Sequence, residues 1–166
     1  IAGMLKDESA AMVVLVNKWD AIEKDNYTMQ EWTDTLRREL DFLPYVPVLF
    51  ISAQHGQRLN KIFPEIERVY DARQRRITTG ELNRFLREAL TLHPPPSKSG
   101  NRLKFLYVTQ ASVAPPTFVF FVNDASAVHF SYQRFLENQL REKFDFTGTH
   151  IRMFFRNRKE EKDALE

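Results

Sequence analysis

The chain has 166 residues, 43% of them hydrophobic, with a formal net charge of +2 and no cysteine. That length holds one ordinary domain or two small ones and supports a real core. No stretch reaches the roughly twenty apolar residues of a membrane span, there is no basic-then-apolar leader, and without cysteine there is no disulfide framework, zinc-thiolate site or thiol nucleophile.

A cytoplasmic address is the resulting expectation. The four histidines, His55, His93, His129 and His150, are scattered, so no metal site is expected from them. The opening Ile1-Ala2-Gly3 lacks an initiator Met and leads almost at once toward an apolar strand, which reads as a beginning cut from something longer.

Met12 to Val16 is a short β-branched apolar run, the pattern of a strand buried on both faces of a parallel sheet. Thr28 with Glu31 spells a capping box, and Trp32, Leu36 and Leu40 follow at helical spacing up to Pro44. Val48 to Ile51 is a second buried-type strand. Leu59, Ile62, Phe63, Ile66, Val69 and Tyr70 then mark an amphipathic helix with Pro64 near its start. The alternation of strand and helix predicts α/β winding with crossover helices.

The pattern changes after Arg73. Thr78 and Glu81 form another capping box before a helix through Leu82, Phe85, Leu86 and Leu90, and His93 to Gly100 reads as a stiff, then flexible, loop. Leu103 to Thr109 and Thr117 to Val122 read as strands, Tyr132 to Phe144 as a helix, and Ile151 to Arg156 as a half-buried strand. The predicted organisation is an α/β unit over 1–76, an α+β unit of order αββαβ over 77–159, and a solvated tail over 160–166.

Chemistry concentrates at the ends of the first two strands, where open α/β sheets bind ligands. After the first strand stands Asn17-Lys18-Trp19-Asp20. The paired N1–H and N2–H donors of guanine suit one carboxylate accepting both, a role proposed for Asp20; adenine offers no such pair. Asn17 suits guanine N7 and a bridge between loops, the stem of Lys18 suits the base plane, and Trp19 suits packing. After the second strand, Ser52-Ala53 is expected to bring the Ala53 N–H to guanine O6 and the Ser52 hydroxyl to Asp20. Either pair alone is ordinary turn chemistry. Both in this order, each after a strand, give the signal its weight.

The phosphate-binding elements are absent from this sequence. None of the five glycines, Gly3, Gly56, Gly80, Gly100 and Gly148, is followed by Lys, so there is no GxxxxGK[ST] loop. Asp145 to Gly148 spells DxxG but comes after the base-reading loops and reads as a turn. No hydrolase-type elbow or other catalytic set emerges.

VVLVNKWDAI, VPVLFISAQHGQ, RRITTGELNRFL, PPTFVFFVND and SYQRFLENQLREKF resemble the EngA family, also called Der, of bacterial ribosome-assembly GTPases with two G domains and a C-terminal KH-like domain. The resemblance implies that this chain is the C-terminal half of the second G domain, of P-loop type, followed by the KH-like domain. It assigns guanine recognition to Asn17, Lys18 and Asp20, with Ser52 and Ala53 as the second base-contacting loop. It also implies GTP and GDP as ligands, Mg²⁺ held by residues outside this chain, GTPase activity of the intact protein with the fragment alone inactive, and the large ribosomal subunit with its rRNA and the upstream G domains as partners.

Charge adds a further expectation. Residues 77–159 hold 12 basic and 6 acidic side chains, a surplus that suits a polyanion such as RNA or forms a solvated basic face. KH domains clamp RNA with a GxxG loop, which this sequence lacks. The alternating Arg152, Phe154 and Arg156, extended by Arg158, are therefore the predicted RNA contacts, with packing against a neighbouring G domain as the alternative. A second reading of the whole chain is a non-enzymatic RNA- or ribosome-binding module on a partial G-domain scaffold.

Overall fold

The computed structural model describes residues 2–23, 25, 27–95, 97–98 and 101–158; the tail expected at 160–166 and part of the loop expected up to Gly100 lie outside them. The chain divides into two compact units. One comprises the residues up to Arg73 together with Phe146–His150, the other Gln74–Asp145 and the residues from Ile151 on.

The first unit opens with a helix, α1 (Ala2–Asp7), where the sequence suggests an almost immediate strand. Ala2, Met4, Leu5 and Lys6 are good helix formers, and the turn ends at Ser9, whose φ of 54° no helix accommodates. β1 (Val14–Val16) and β2 (Val48–Phe50) pair in parallel, Val14 opposite Val48 and Val16 opposite Phe50, joined through α2 (Thr28–Glu39). This is the expected crossover.

Two sequence expectations change here. The strands are not buried on both faces: Leu15 is 42% exposed, because among the described residues β1 and β2 form a two-stranded sheet with little to cover it. The start of α2 is capped by Asp25 rather than by a Thr28–Glu31 box. Asp25 Oδ1 accepts from the Tyr27 and Thr28 amides and the Thr28 hydroxyl, each at 2.8 Å. The Thr28 hydroxyl, then the Tyr27 and Thr28 amides, hold its carboxyl below the ordinary value, since all stabilise the charged form. α3 (Ile62–Gln74) carries Pro64 in its first turn, where the missing N–H costs nothing, and buries Val69 and Ala72.

The second unit runs α4 (Thr79–Leu92), a short pair of β3 (Ser97–Lys98) with β4 (Asn101–Arg102), β5 (Phe105–Ser112), β6 (Thr117–Val122), α5 (Phe130–Phe144) and β7 (Arg152–Asn157). Apart from that small pair, which begins in the expected loop and ends just beyond it, the order is αββαβ. Thr78 caps α4 through a full capping box with Glu81. β6 is central, antiparallel to β5 and parallel to β7. Phe118, Phe120 and Val122 of β6 are fully buried, as are Leu82 of α4 and Leu136 and Leu140 of α5. One face of the sheet therefore meets the helices.

Polar side chains finish this unit. Asn83 of α4 donates to Val108 O and accepts from Val108 N, both at 3.1 Å, satisfying backbone groups of β5. Buried Gln110 accepts from Ile77 N and donates to Arg75 O, which fixes the approach to α4.

The Asp145–Gly148 sequence is a turn between α5 and β7, with Asp145 ending the helix at φ 48°. Gly148 N donates to Tyr45 O and Gly148 O accepts from Met12 N, each at 2.8 Å. These bonds tie the stretch to the residues just before β2 and β1. That is why Phe146–His150 joins the first unit although it lies within the 77–159 block of the sequence.

Candidate functional site

β1 and β2 are parallel, so the loops that follow them leave the same end of the sheet. Lys18 turns the first loop through the left-handed region, φ 59° and ψ 33°, and a 3-10 turn over Trp19–Ala21 follows. Trp19 is only 3% exposed; its amide donates to Ile51 O at 3.0 Å and its ring meets Phe50 at 4.4 Å. It packs, as the sequence suggests, and the packing anchors Asp20 beside it.

Asn17 joins the two loops. Its Oδ1 accepts from Lys18 N at 2.8 Å and from Ala53 N at 3.0 Å. The second bond alters one expectation: the Ala53 N–H, which the sequence assigns to guanine O6, is directed at Asn17. Asn17, Lys18 and Ala53 are exposed, Asp20 is partly buried, and Ser52 is fully buried.

Ser52 opens a closed turn. Ser52 N donates to Gln57 O at 3.1 Å, Gln57 N to Ser52 O at 3.0 Å, and Gly56 at φ +69° supplies the left-handed residue. The Ser52 hydroxyl accepts from His55 N at 3.2 Å. His55 Nε2 lies 3.4 Å from Asp20 Oδ2, so the carboxylate meets the second loop through a histidine ring that the sequence reading did not assign to the site. The only available signal was its place three residues after Ser52.

The five residues predicted to read guanine, with His55, thus sit on two loops tied by side-chain bonds. What the arrangement offers is a partly buried carboxylate at a strand end, flanked by exposed polar groups, suited to a planar ligand with adjacent N–H donors. Among the described residues no group of three or more His, Asp or Glu side chains is placed to hold a metal ion.

On the second unit, Arg152, Phe154, Arg156 and Arg158 are all exposed, Phe154 by 49%, while Met153 and Phe155 alternate with them inward. Register places Phe154 beside Val119 and Arg156 beside Phe121; Val119 and Phe121 in turn face Thr109 and Tyr107. Tyr107 and Phe121 stack at 4.3 Å and 14°. β5, β6 and β7 contain no acidic residue. The row of arginines borders Val119 and Phe121, both buried, and the register beside Tyr107 and Phe121 is what strand-by-strand reading did not show.

Residues 76–156 match a family profile described as the KH-domain-like region of EngA bacterial GTPase enzymes, C-terminal. The chain is 51% identical over 160 residues to a protein named GTPase Der from Agathobacter rectalis, 48% over 159 to that of Leuconostoc citreum, and 51% over 160 to that of Moorella thermoacetica. Each match covers 96% of this chain and 36% of the relative, so the chain spans about a third of the length of these curated relatives. The match of residues 76–156 and the identity to these relatives over 96% of the chain place it in the EngA/Der family.

Proposed function

We propose that this chain is the base-reading and docking portion of a GTPase that acts in assembly of the large ribosomal subunit. The observation that carries the first part is the Asn17 bridge, which sets the two strand-end loops around the Asp20 carboxylate. In this reading Asp20 accepts the N1–H and N2–H of guanine, Lys18 lies along the base, Asn17 holds the loops and faces N7, and Ser52 and Ala53 form the far wall. GTP and GDP are the ligands.

No loop of this sequence cradles phosphates, and phosphoryl transfer depends on such positioning and charge stabilisation. Hydrolysis belongs to the intact protein, with Mg²⁺ ligands outside this chain, and the chain alone turns over no GTP. The relatives' name and the 36% coverage support this division.

The docking part rests on the second unit. Arg152, Arg156 and Arg158 suit phosphates, and Phe154 suits an unpaired base of ribosomal RNA. The acid-free sheet supports RNA over an acidic protein surface.

The test of guanine reading is Asp20→Asn in the intact protein. The acceptor pair becomes a mixed acceptor and donor, which matches xanthine. Weaker GTP binding with improved xanthosine triphosphate binding is the expected result; an unchanged guanine preference removes Asp20 from the site.

A further inference from the structure

We infer that His55 is a positioning residue of the guanine-reading loops, holding the Asp20 carboxylate through its ring nitrogen. The inference rests on the reading of Asp20 just given and adds a residue to it.

Both partners stand on fixed frames. Asp20 follows the buried Trp19, itself pinned to Ile51 and Phe50. His55 sits inside the turn closed by the reciprocal Ser52–Gln57 bonds, and its own amide donates to the Ser52 hydroxyl. The 3.4 Å separation of His55 Nε2 from Asp20 Oδ2 is thus set by two anchored loops rather than by two freely moving side chains. The side chains are 57% and 26% exposed, so solvent screens the contact and it adds little to stability. Its effect is orientational.

A carboxylate rotates about its last side-chain bond, and bidentate acceptance from guanine requires both oxygens in the plane of the base. The His55 ring against Oδ2 restricts that rotation, so the carboxylate is held in one orientation for the base.

The test uses the full-length protein and fluorescent GDP. His55→Ala is expected to weaken binding about three- to tenfold, the worth of one polar contact, and His55→Gln, which keeps a side-chain N–H, to recover most of it. Wild-type affinity in His55→Ala, or no recovery in His55→Gln, overturns the inference. Asp20→Asn is measured alongside: if it loses guanine preference while the His55 variants behave as wild type, only the role of His55 fails. If it keeps guanine preference, the reading of the site fails as well.

Discussion

Asn17 Oδ1 accepts the Ala53 amide at 3.0 Å across 36 positions of sequence, and the same oxygen accepts the Lys18 amide at 2.8 Å. One side-chain oxygen thereby holds the loops after both parallel strands. Without it, the loops lose one of the bonds that set them against each other.

Asn17→Ala is accordingly expected to cost about 1 kcal/mol of stability, the net worth of a typical hydrogen bond, because the exposed amides regain water. The effect on GDP affinity of the intact protein is expected to be larger, at about tenfold or more, because the loops are no longer preorganised. Denaturant melts and nucleotide titration on the same preparation separate the two. Equal GDP affinity in mutant and wild type contradicts the bridging role.

Gly148 stands at φ +69°, and a Cβ there meets Val69 Cγ2 at 2.4 Å and Met12 O at 2.8 Å. Gly148→Ala combines left-handed backbone strain with a clash against a buried side chain and a backbone oxygen, and is expected to destabilise the first unit by about 2–4 kcal/mol. Urea unfolding is the check; a midpoint within error of wild type means that the turn does not occupy this position in solution.

Tyr132 is 3% exposed, donates to His93 O at 2.6 Å, and has its phenol pushed up to about 12 by burial. The folded value lies above the ordinary 10.0, so the unfolded chain releases this proton first. The stabilisation is complete below pH 10 and is lost as pH rises through about 12. Alkaline titration of phenolate absorbance should show a late-ionising step that is absent in Tyr132→Phe. A wild-type curve without that late step refutes the assignment.

Replacing Arg152, Arg156 and Arg158 by Glu is expected to weaken binding of a ribosomal RNA fragment and to lower the salt slope by about 3, one unit for each phosphate no longer neutralised. Phe154→Ala should weaken single-stranded RNA with little change in that slope, since stacking releases no counterions. Filter binding at several salt concentrations reads both. Unchanged RNA affinity in the triple variant assigns this face to packing.

Much of this was legible in one dimension. Thr117–Val122 and the αββαβ order followed from apolar periodicity, and the Thr78–Glu81 capping box from residue type and spacing, because these signals are local. Where a local signal misled, a nearby competitor won. Asp25, three residues upstream, takes the Thr28 amide that the box would give to Glu31, and the Glu31 amide goes to Tyr27 O. Reading β1 and β2 as buried on both faces failed for a different reason, since composition describes what a strand is built to meet and not what lies against it.

The sequence by itself determined the family and the parallel strand pair, since each depends on residue identity at fixed spacing. Only the tertiary structure decided which partners those residues meet: Ala53 N directed to Asn17, His55 against Asp20, Gly148 tied to Met12 and Tyr45, and Tyr107 with Phe121 beside the arginine row. Those pairings join residues remote in sequence, and their distances follow from strand register and loop closure, which no spacing along the chain encodes.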